Sequence, residues 1–493
     1  MSQINISNLT FAYEGSYDNI FEDVSFQLDT DWKLGFCGRN GRGKTTFLNL
    51  LMGGYEYGGT ISASVAFEYF PFRIDDIRRD TLRVLRDVVP DVPMWKIERE
   101  LALMAVDESV LHRPLHTLSN GERTKVLLAG LFLRENSFLL IDEPTNHLDM
   151  DARRVVARYL NGKAGFILVS HDRAFLDECV DHILSINRAD IEVMHGNFSV
   201  WWEQKKRQDA YELAQNERLE REIGHLREAA ARTAKWSDKV EKSKHRPLKS
   251  GLSADTGYIG HMAAKMMKRS KSAEKRKRKA VNEKSSLLKN IETADDLKIH
   301  PLTYHASRLL SIENLAISYG GREVFGNVSF TLAQGDRLAL TGANGSGKSS
   351  ILKLICGSHI EHSGVVGVGS RLVISYVPQD ASFLTGGLDE YAESKSIDEP
   401  LFKAILRKLD FSRVQFKKDM GDYSAGQKKK VLLARSLCEQ AHLYIWDEPL
   451  NYIDVLSRMQ IEDLIKRFRP TMIFVEHDRA FCENVASKVI ELK

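Results

Sequence analysis

Little in this chain would staple it, export it or anchor it. Five cysteines are scattered through 493 residues (Cys37, Cys179, Cys356, Cys438, Cys482), an odd number with no Cys-x-x-Cys spacing. That excludes a disulfide framework and argues against a zinc site, so small buried thiols in a reducing compartment are expected. No run approaches the ~18 apolar residues that read as a membrane helix, and no basic-then-apolar leader opens the chain. A cytoplasmic protein without a membrane segment is therefore expected. One domain is also excluded by length, which suits two of about 200 residues each plus a connector.

Net charge is nearly balanced at +3, but unevenly placed. Residues 201–300 carry 25 Lys+Arg against 15 Asp+Glu, or +10; the rest carries 45 against 52, or −7. A solvated helix face is the plain explanation of such a run, and confinement to one segment favours a polyanionic partner.

What the chain does have, it has twice. Gly38-Arg39-Asn40-Gly41-Arg42-Gly43-Lys44-Thr45, Leu118-Ser119-Asn120-Gly121-Glu122, Asp142-Glu143 and His171 are repeated about 305 residues later. The second set is Gly342-Ala343-Asn344-Gly345-Ser346-Gly347-Lys348-Ser349, Tyr423-Ser424-Ala425-Gly426-Gln427, Asp447-Glu448 and His477. Lysine to serine spans 75 residues in one set and 76 in the other; serine to glutamate spans 24 in both. Chance can give one glycine loop but not four ordered elements twice.

Each set implies nucleotide hydrolysis. Backbone N–H groups of the glycine loop can wrap the β- and γ-phosphates, with Lys44 and Lys348 neutralising charge. Thr45 and Ser349 offer hydroxyls to Mg²⁺, and the adjoining Thr46 and Ser350 are expected among the ATP-binding residues. Asp142 and Asp447 would hold the metal through water, while Glu143 and Glu448 stand one residue on, placed to orient the attacking water. His171 and His477, 28 and 29 residues later, can reach the γ-phosphate from the next strand.

Short apolar runs lead into each motif and alternate with helical stretches, which indicates α/β units on a largely parallel sheet. The openings Ile4–Leu9 and Leu310–Leu315 alternate apolar and polar residues and read as edge strands. Expected domains are 1–200, 201–305 and 306–493. In the middle one, Leu219, Ile223, Leu226 and Ala230 form a narrow helical seam over 203–242. A second helical stretch covers roughly 262–297, and Pro247, Gly251, Gly257 and Gly260 interrupt helix between the two. The expected linker is thus a helical hairpin with its tip loop at about 245–260, reaching roughly 45–55 Å at 1.5 Å per residue.

These motifs resemble those of ATP-binding cassette proteins over both halves. The resemblance implies an α/β fold of two tandem cassettes joined by a long α-helical hairpin linker, with ATP and Mg²⁺ as cofactors. It also implies head-to-tail sandwiching. Site one would join Lys44, Asp142 and Glu143 to Ser424 and Gly426; site two would join Lys348, Asp447 and Glu448 to Ser119 and Gly121. Tyr13 and Tyr319 would stack on adenine. The second half carries the family's metal-reaching glutamine in Tyr376-Val377-Pro378-Gln379, whereas the first reads Tyr69-Phe70-Pro71-Phe72. Phenylalanine cannot ligate Mg²⁺, so slower or differently coupled hydrolysis is expected at site one.

Tandem cassettes, Asp-Glu-Pro-Thr-Asn-His-Leu-Asp at 142–149 and a charged linker resemble the ABC-F group of ribosome-acting ATPases. Arg39–Thr46, Trp446–Asp454 and the linker strings Gly257–His261 and Ala263–Lys271 look like its Lsa-type antibiotic-resistance members. That resemblance implies a cytoplasmic monomer with no obligate protein partner that, when ATP-bound, enters the tRNA exit site of the bacterial 70S ribosome. There it would contact 23S rRNA and P-site tRNA, and lincosamide, streptogramin A or pleuromutilin drugs would be lost from the peptidyl-transferase region. Lys244, Tyr258, Lys265, Lys268 and Arg269 would serve the linker tip. The alternatives are a housekeeping translation factor rescuing stalled ribosomes and the ATPase subunit of an exporter. Neither half has an inserted arm, since Phe72 to Ser119 spans 47 residues and Gln379 to Ser424 spans 45. Only 16 residues follow His477, so the linker, with 17 Lys+Arg against 5 Asp+Glu over 235–289, is the expected RNA-facing part.

Overall fold

The computed structural model describes residues 2–14, 19–146, 148–187, 190–243, 297–319 and 322–492, with 265, 268 and 275 as single positions. It divides into two compact units, Met1–Trp201 with Ala294–Lys493, and Trp202–Thr293. The first unit holds two copies of one α/β architecture.

In the first copy a six-stranded sheet runs in the order Ala66–Phe70, Ser137–Asp142, Phe166–Val169, Lys33–Cys37, His182–Asn187, Asp190–His195. All pairings are parallel except the last. The second copy repeats this as Ile374–Val377, Leu443–Asp447, Met472–Val475, Arg337–Gly342, Lys488–Leu492, parallel throughout. The central strands are continuous apolar runs, Phe-Ile-Leu-Val at 166–169 and Met-Ile-Phe-Val at 472–475, because both faces are covered. Their C-terminal ends line up, and the chemistry-bearing residues leave the sheet there, where doubly wound sheets place ligands.

Beside each parallel sheet lies a three-stranded antiparallel one, ordered Phe21–Asp29, Gln3–Phe11, Gly58–Ser62 and Arg322–Ala333, Arg308–Tyr319, His362–Val368. The openings expected at sheet edges are in fact the middle strands, paired on both sides. Their alternation reports one face turned to the core, not a free edge: Ile4, Ile6, Leu9 and Phe11 are all buried. Burial of such side chains stabilises by about 1.5–3 kcal/mol each.

A 46-residue helix, Phe198–Ser243, leaves the first copy. It starts five residues before the seam that the sequence makes visible. Asn197 Oδ1 accepts from Val200 N at 3.1 Å, Ser199 N donates to Asp177 Oδ1 at 2.8 Å, and Phe198 and Trp201 are buried. A polar cap and two aromatic anchors thus set the start, and neither shows as helical periodicity. Lys265 and Lys268 are helical and exposed. Lys244, Tyr258, Arg269 and the 245–260 tip lie outside the described residues.

Candidate functional site

Each glycine loop hands over directly to a helix, Lys44–Leu51 or Lys348–Ile355. The residue before the helix must be glycine. Gly43 has φ +96°, and a Cβ there would sit 2.6 Å from Ile20; Gly347 has φ +87°, and its Cβ would sit 2.6 Å from Phe325. Lys44 Nζ curls over its loop, donating to the carbonyls of Gly38 (2.7 Å) and Arg39 (3.1 Å). Lys348 Nζ does the same to Gly342 (2.9 Å) and Ala343 (2.8 Å). Burial lowers both ammonium pKa values against the pull of nearby carboxylates.

Thr45 Oγ1 donates to Asp142 Oδ2 and Ser349 Oγ to Asp447 Oδ1, each at 3.1 Å. Asp447 Oδ2 is buried without a partner. A hydroxyl beside a carboxylate, with a spare oxygen lone pair, is the hard-donor set Mg²⁺ prefers. Among the described residues no cluster of three or more His, Cys, Asp or Glu could hold a metal alone. Phosphate oxygens and water would complete the shell.

Glu143 and Glu448 follow with left-handed backbone, φ 51° and 47°. That geometry is costly for a non-glycine residue, by about 1–2 kcal/mol. It is pinned by Glu143 N donating to Val169 O at 2.9 Å and Glu448 N to Val475 O at 3.0 Å. The same strand ends carry His171 and His477, so each histidine faces its glutamate: His171 Nε2 is 3.2 Å from Glu143 Oε1, His477 Nε2 3.5 Å from Glu448 Oε1.

There the two halves part. Both Glu143 carboxylate oxygens are buried with no aligned hydrogen-bond donor, despite the nearby His171 nitrogen. Burial, then repulsion from Asp142, pushes its pKa up to about 8. His171 is itself held well below its ordinary value by burial and by Lys44. Burial also works against Glu448, yet the His477 and Gln379 side chains bond to it and outweigh that, bringing it down to about 2. Asn451 Nδ2 adds a donor at 2.6 Å. In the first half, Tyr69 donates to Asp142 Oδ2 at 2.9 Å, and Phe72 is half-buried.

The signature serines cap helices. Ser119 Oγ accepts from Glu122 N at the head of Asn120–Leu131, and Ser424 Oγ from Gln427 N at the head of Ala425–Cys438, both within capping boxes. These helix N-termini do not face their own glycine loops. One cleft of about 750 Å³ is lined by Asn40, Gly41, Lys44, Thr45, Asp142, Glu143 and His171 from the first half and Ser424, Gly426, Lys430 and Tyr452 from the second. Another of about 900 Å³ joins Tyr319, Asn344, Gly345, Gly347, Lys348, Ser349, Ser350, Gln379, Glu448 and His477 to Ser119 and Gly121. The halves also bond directly: Asn40 Nδ2 donates to Tyr452 O at 3.0 Å and Arg153 Nη1 to His477 O at 3.1 Å. Asp447 lies behind the second cleft, on Ser349. Tyr319 lines the second cleft, whereas Tyr13 is not among the residues lining the first; both are half-exposed, their hydroxyls bonded to Ser350 Oγ (3.0 Å) and Thr46 Oγ1 (2.7 Å).

Sequence reasoning missed Tyr69, Asn451, Asp410, Lys430 and Tyr452. The first two could have been found one to three residues from the acid pair or the Phe72 position. The others enter by the crossing of the halves, which no local pattern shows.

Two glycine loops closed by the partner half's capped helix define a tandem nucleotide-hydrolysing sandwich. The family model described as ABC transporter matches residues 21–146 and 325–451, and the chain belongs to that family, an ATPase that binds ATP. Within it the chain falls in the F group. It is 29% identical over 504 residues to the ribosome protection protein VmlR of Bacillus subtilis, covering 97% of this chain and 84% of that one. It is 31% identical over 386 residues to the putative ATP-binding protein YdiF of the same organism, of whose length it spans 55%. With the energy-dependent translational throttle protein EttA of Haemophilus influenzae it shares 25% over 529 residues, 96% of this chain and 89% of that one. The fold matches the archaeal ribosome recycling factor aABCE1 with a TM-score of 0.61 at 18% identity, covering 98% of this chain and 87% of that one. Among the described residues no helix is long and apolar enough to cross a membrane.

Proposed function

We propose that this protein is a ribosome-binding ATPase that uses Mg²⁺-ATP to close its two clefts, binds the bacterial 70S ribosome in the tRNA exit site, and displaces peptidyl-transferase antibiotics. The observation that carries this reading is the +10 segment at 201–300, set between cassettes whose remaining residues sum to −7. A motor whose positive charge is confined to one connector suits a polyanion, here 23S rRNA and P-site tRNA, with contacts that are salt-sensitive and sequence-tolerant. VmlR is by its name a ribosome protection protein, and the Lsa-type strings in the loops and linker support the same role here. The chain would work as a cytoplasmic monomer without an obligate protein partner. In this reading the cassettes occupy 1–200 and 306–493 and the linker 201–305.

The geometry supports the following division of roles. Lys44 and Lys348 hold phosphate, Thr45 with Asp142 and Ser349 with Asp447 hold Mg²⁺, and Glu143 and Glu448 address the water. His171 and His477 sense the γ-phosphate, and Ser119, Gly121, Ser424 and Gly426 close from across.

A second reading, a translation factor without a drug role, is favoured by the likeness to EttA, named a translational throttle protein. A susceptibility panel in a sensitive host separates the two. Expression should raise resistance to lincosamides, streptogramin A or pleuromutilins, and the Glu143→Gln/Glu448→Gln double variant should abolish it. Unchanged susceptibility to all three classes, with ribosome binding retained, would select the translation factor. An exporter subunit would show neither effect on ribosomes.

A further inference from the structure

Two ion pairs that cross from one cassette to the other lie beside cleft one. Arg173, two residues past His171, pairs with Glu462 on the helix Val455–Phe468; these side chains are only 13% and 6% exposed. Lys466 Nζ braces the same carboxylate at 2.7 Å. Arg39, in the first glycine loop, faces Asp410 of the second cassette at 4.0 Å, the outer limit of an ion pair.

The repeat supplies its own control. By spacing from the shared motifs, Glu462 corresponds to Ala157, Asp410 to Ala105 and Arg39 to Ala343. Asp410 and Ala105 even share a left-handed backbone, φ 65° and 48°. Alanine cannot form an ion pair. Arg479, the counterpart of Arg173, turns instead to Glu483 four residues on, at 2.7 Å. On the cleft-two side Arg153 donates to the His477 carbonyl, an uncharged acceptor.

Neither ion pair uses a nucleotide atom. When the γ-phosphate is cleaved, both clefts lose the anion that bridges glycine loop to signature helix, but cleft one also keeps these two ion pairs, whose counterparts on the cleft-two side end in alanine. The Arg173–Glu462 pair is buried, so salt screens it little. We propose that the sandwich opens asymmetrically: Arg173–Glu462, assisted by Arg39–Asp410, keeps cleft one shut after hydrolysis, and nucleotide exchanges first through cleft two. These are positioning residues acting on the cassette edges. The inference needs only the ATPase, so it stands or falls independently of the ribosomal role.

The test is a chase experiment on the full chain. Protein loaded with Mg²⁺ and radiolabelled ATP is mixed with excess unlabelled ATP, and bound label is followed by rapid filtration. Release should fall into two phases of similar amplitude, and Lys348→Ala should keep only the slow one. Glu462→Ala should speed the slow phase about tenfold or more and leave the fast phase unchanged, since truncating one partner of a buried pair acts mainly on the off-rate. Ala157→Glu, which gives Arg479 an acid across the interface, should slow the fast phase. A single phase in the unaltered protein would overturn the proposal, as would a slow phase indifferent to Glu462→Ala. If Glu462→Ala does not fold, an unmoved fast phase in Ala157→Glu overturns it alone.

Discussion

Glu143 and Glu448 stand at the same point of the repeat and meet opposite surroundings. Glu448 is ionised and held by Asn451, Gln379 and His477, ready to accept from a water; Glu143, pushed up to about 8, has no donor on either oxygen. Glu448→Gln should therefore cut turnover ~10²-fold or more, the usual size of a lost general base, and Glu143→Gln distinctly less. Single-turnover hydrolysis on the two variants checks this, and equal losses would contradict it. Half of this contrast was legible, because Phe72 stands where the other half has Gln379. The rest was not: Asn146 and Asn451 are the same residue in both halves, yet only Asn451 bonds to its glutamate, a difference of rotamer and packing that sequence does not carry.

Asp454 likewise owes its charged state to a neighbour packed against it, here within the second half. Burial would raise its pKa, but Lys430, 3.4 Å away, leads the groups that hold it well below the carboxylate range. A depressed folded pKa contributes stability above the unfolded value near 4 and loses it as pH falls through the folded one. Lys430→Met should thus destabilise by roughly 3–5 kcal/mol at neutral pH, leaving a buried charge unpaired. The gap to the unaltered protein should narrow below about pH 4. Denaturant midpoints at pH 7 and pH 3.5 measure it; a gap independent of pH would show that Asp454 is not the group involved.

At the scale of elements, the signature helices have two duties. Ser424 caps Ala425–Cys438 and turns its N-terminus into cleft one, so Ser424→Ala should cost about 1 kcal/mol of stability as a lost cap. Gly426 is tighter still, since a Cβ there would lie 2.7 Å from the Tyr452 carbonyl oxygen. Gly426→Ala should fold, bind ATP and fail to close cleft one, seen as normal nucleotide affinity at cleft two with turnover reduced about tenfold or more. Turnover like that of the unaltered protein would mean that cleft one need not close for cleft two to hydrolyse. Elements were legible where periodicity met a motif, as in the strands feeding the acid pairs and histidines. They were misread where alternation stood alone, because Gln3–Phe11 and Arg308–Tyr319 alternate for the sake of one buried face and still pair on both edges.

For the whole molecule, composition located the linker's charge but not its tip geometry, and Tyr258 lies outside the described residues. If the tip acts on the drug site, Tyr258→Ala should reduce drug protection while leaving ATPase activity and ribosome binding nearly intact. A stacked ring contributes ~1–3 kcal/mol locally, whereas the basic arms supply most of the affinity. Retained resistance in Tyr258→Ala, and in a deletion of 249–256, would remove the tip from the mechanism. An ATP-closed sandwich that grips the ribosome is the central proposal. Its most direct measurement is co-sedimentation of the Glu143→Gln/Glu448→Gln double variant with bacterial 70S ribosomes. Retention should exceed that of the unaltered protein with ATP, vanish with ADP and weaken steeply with salt; retention equal to or below the unaltered protein's in ATP would contradict the account.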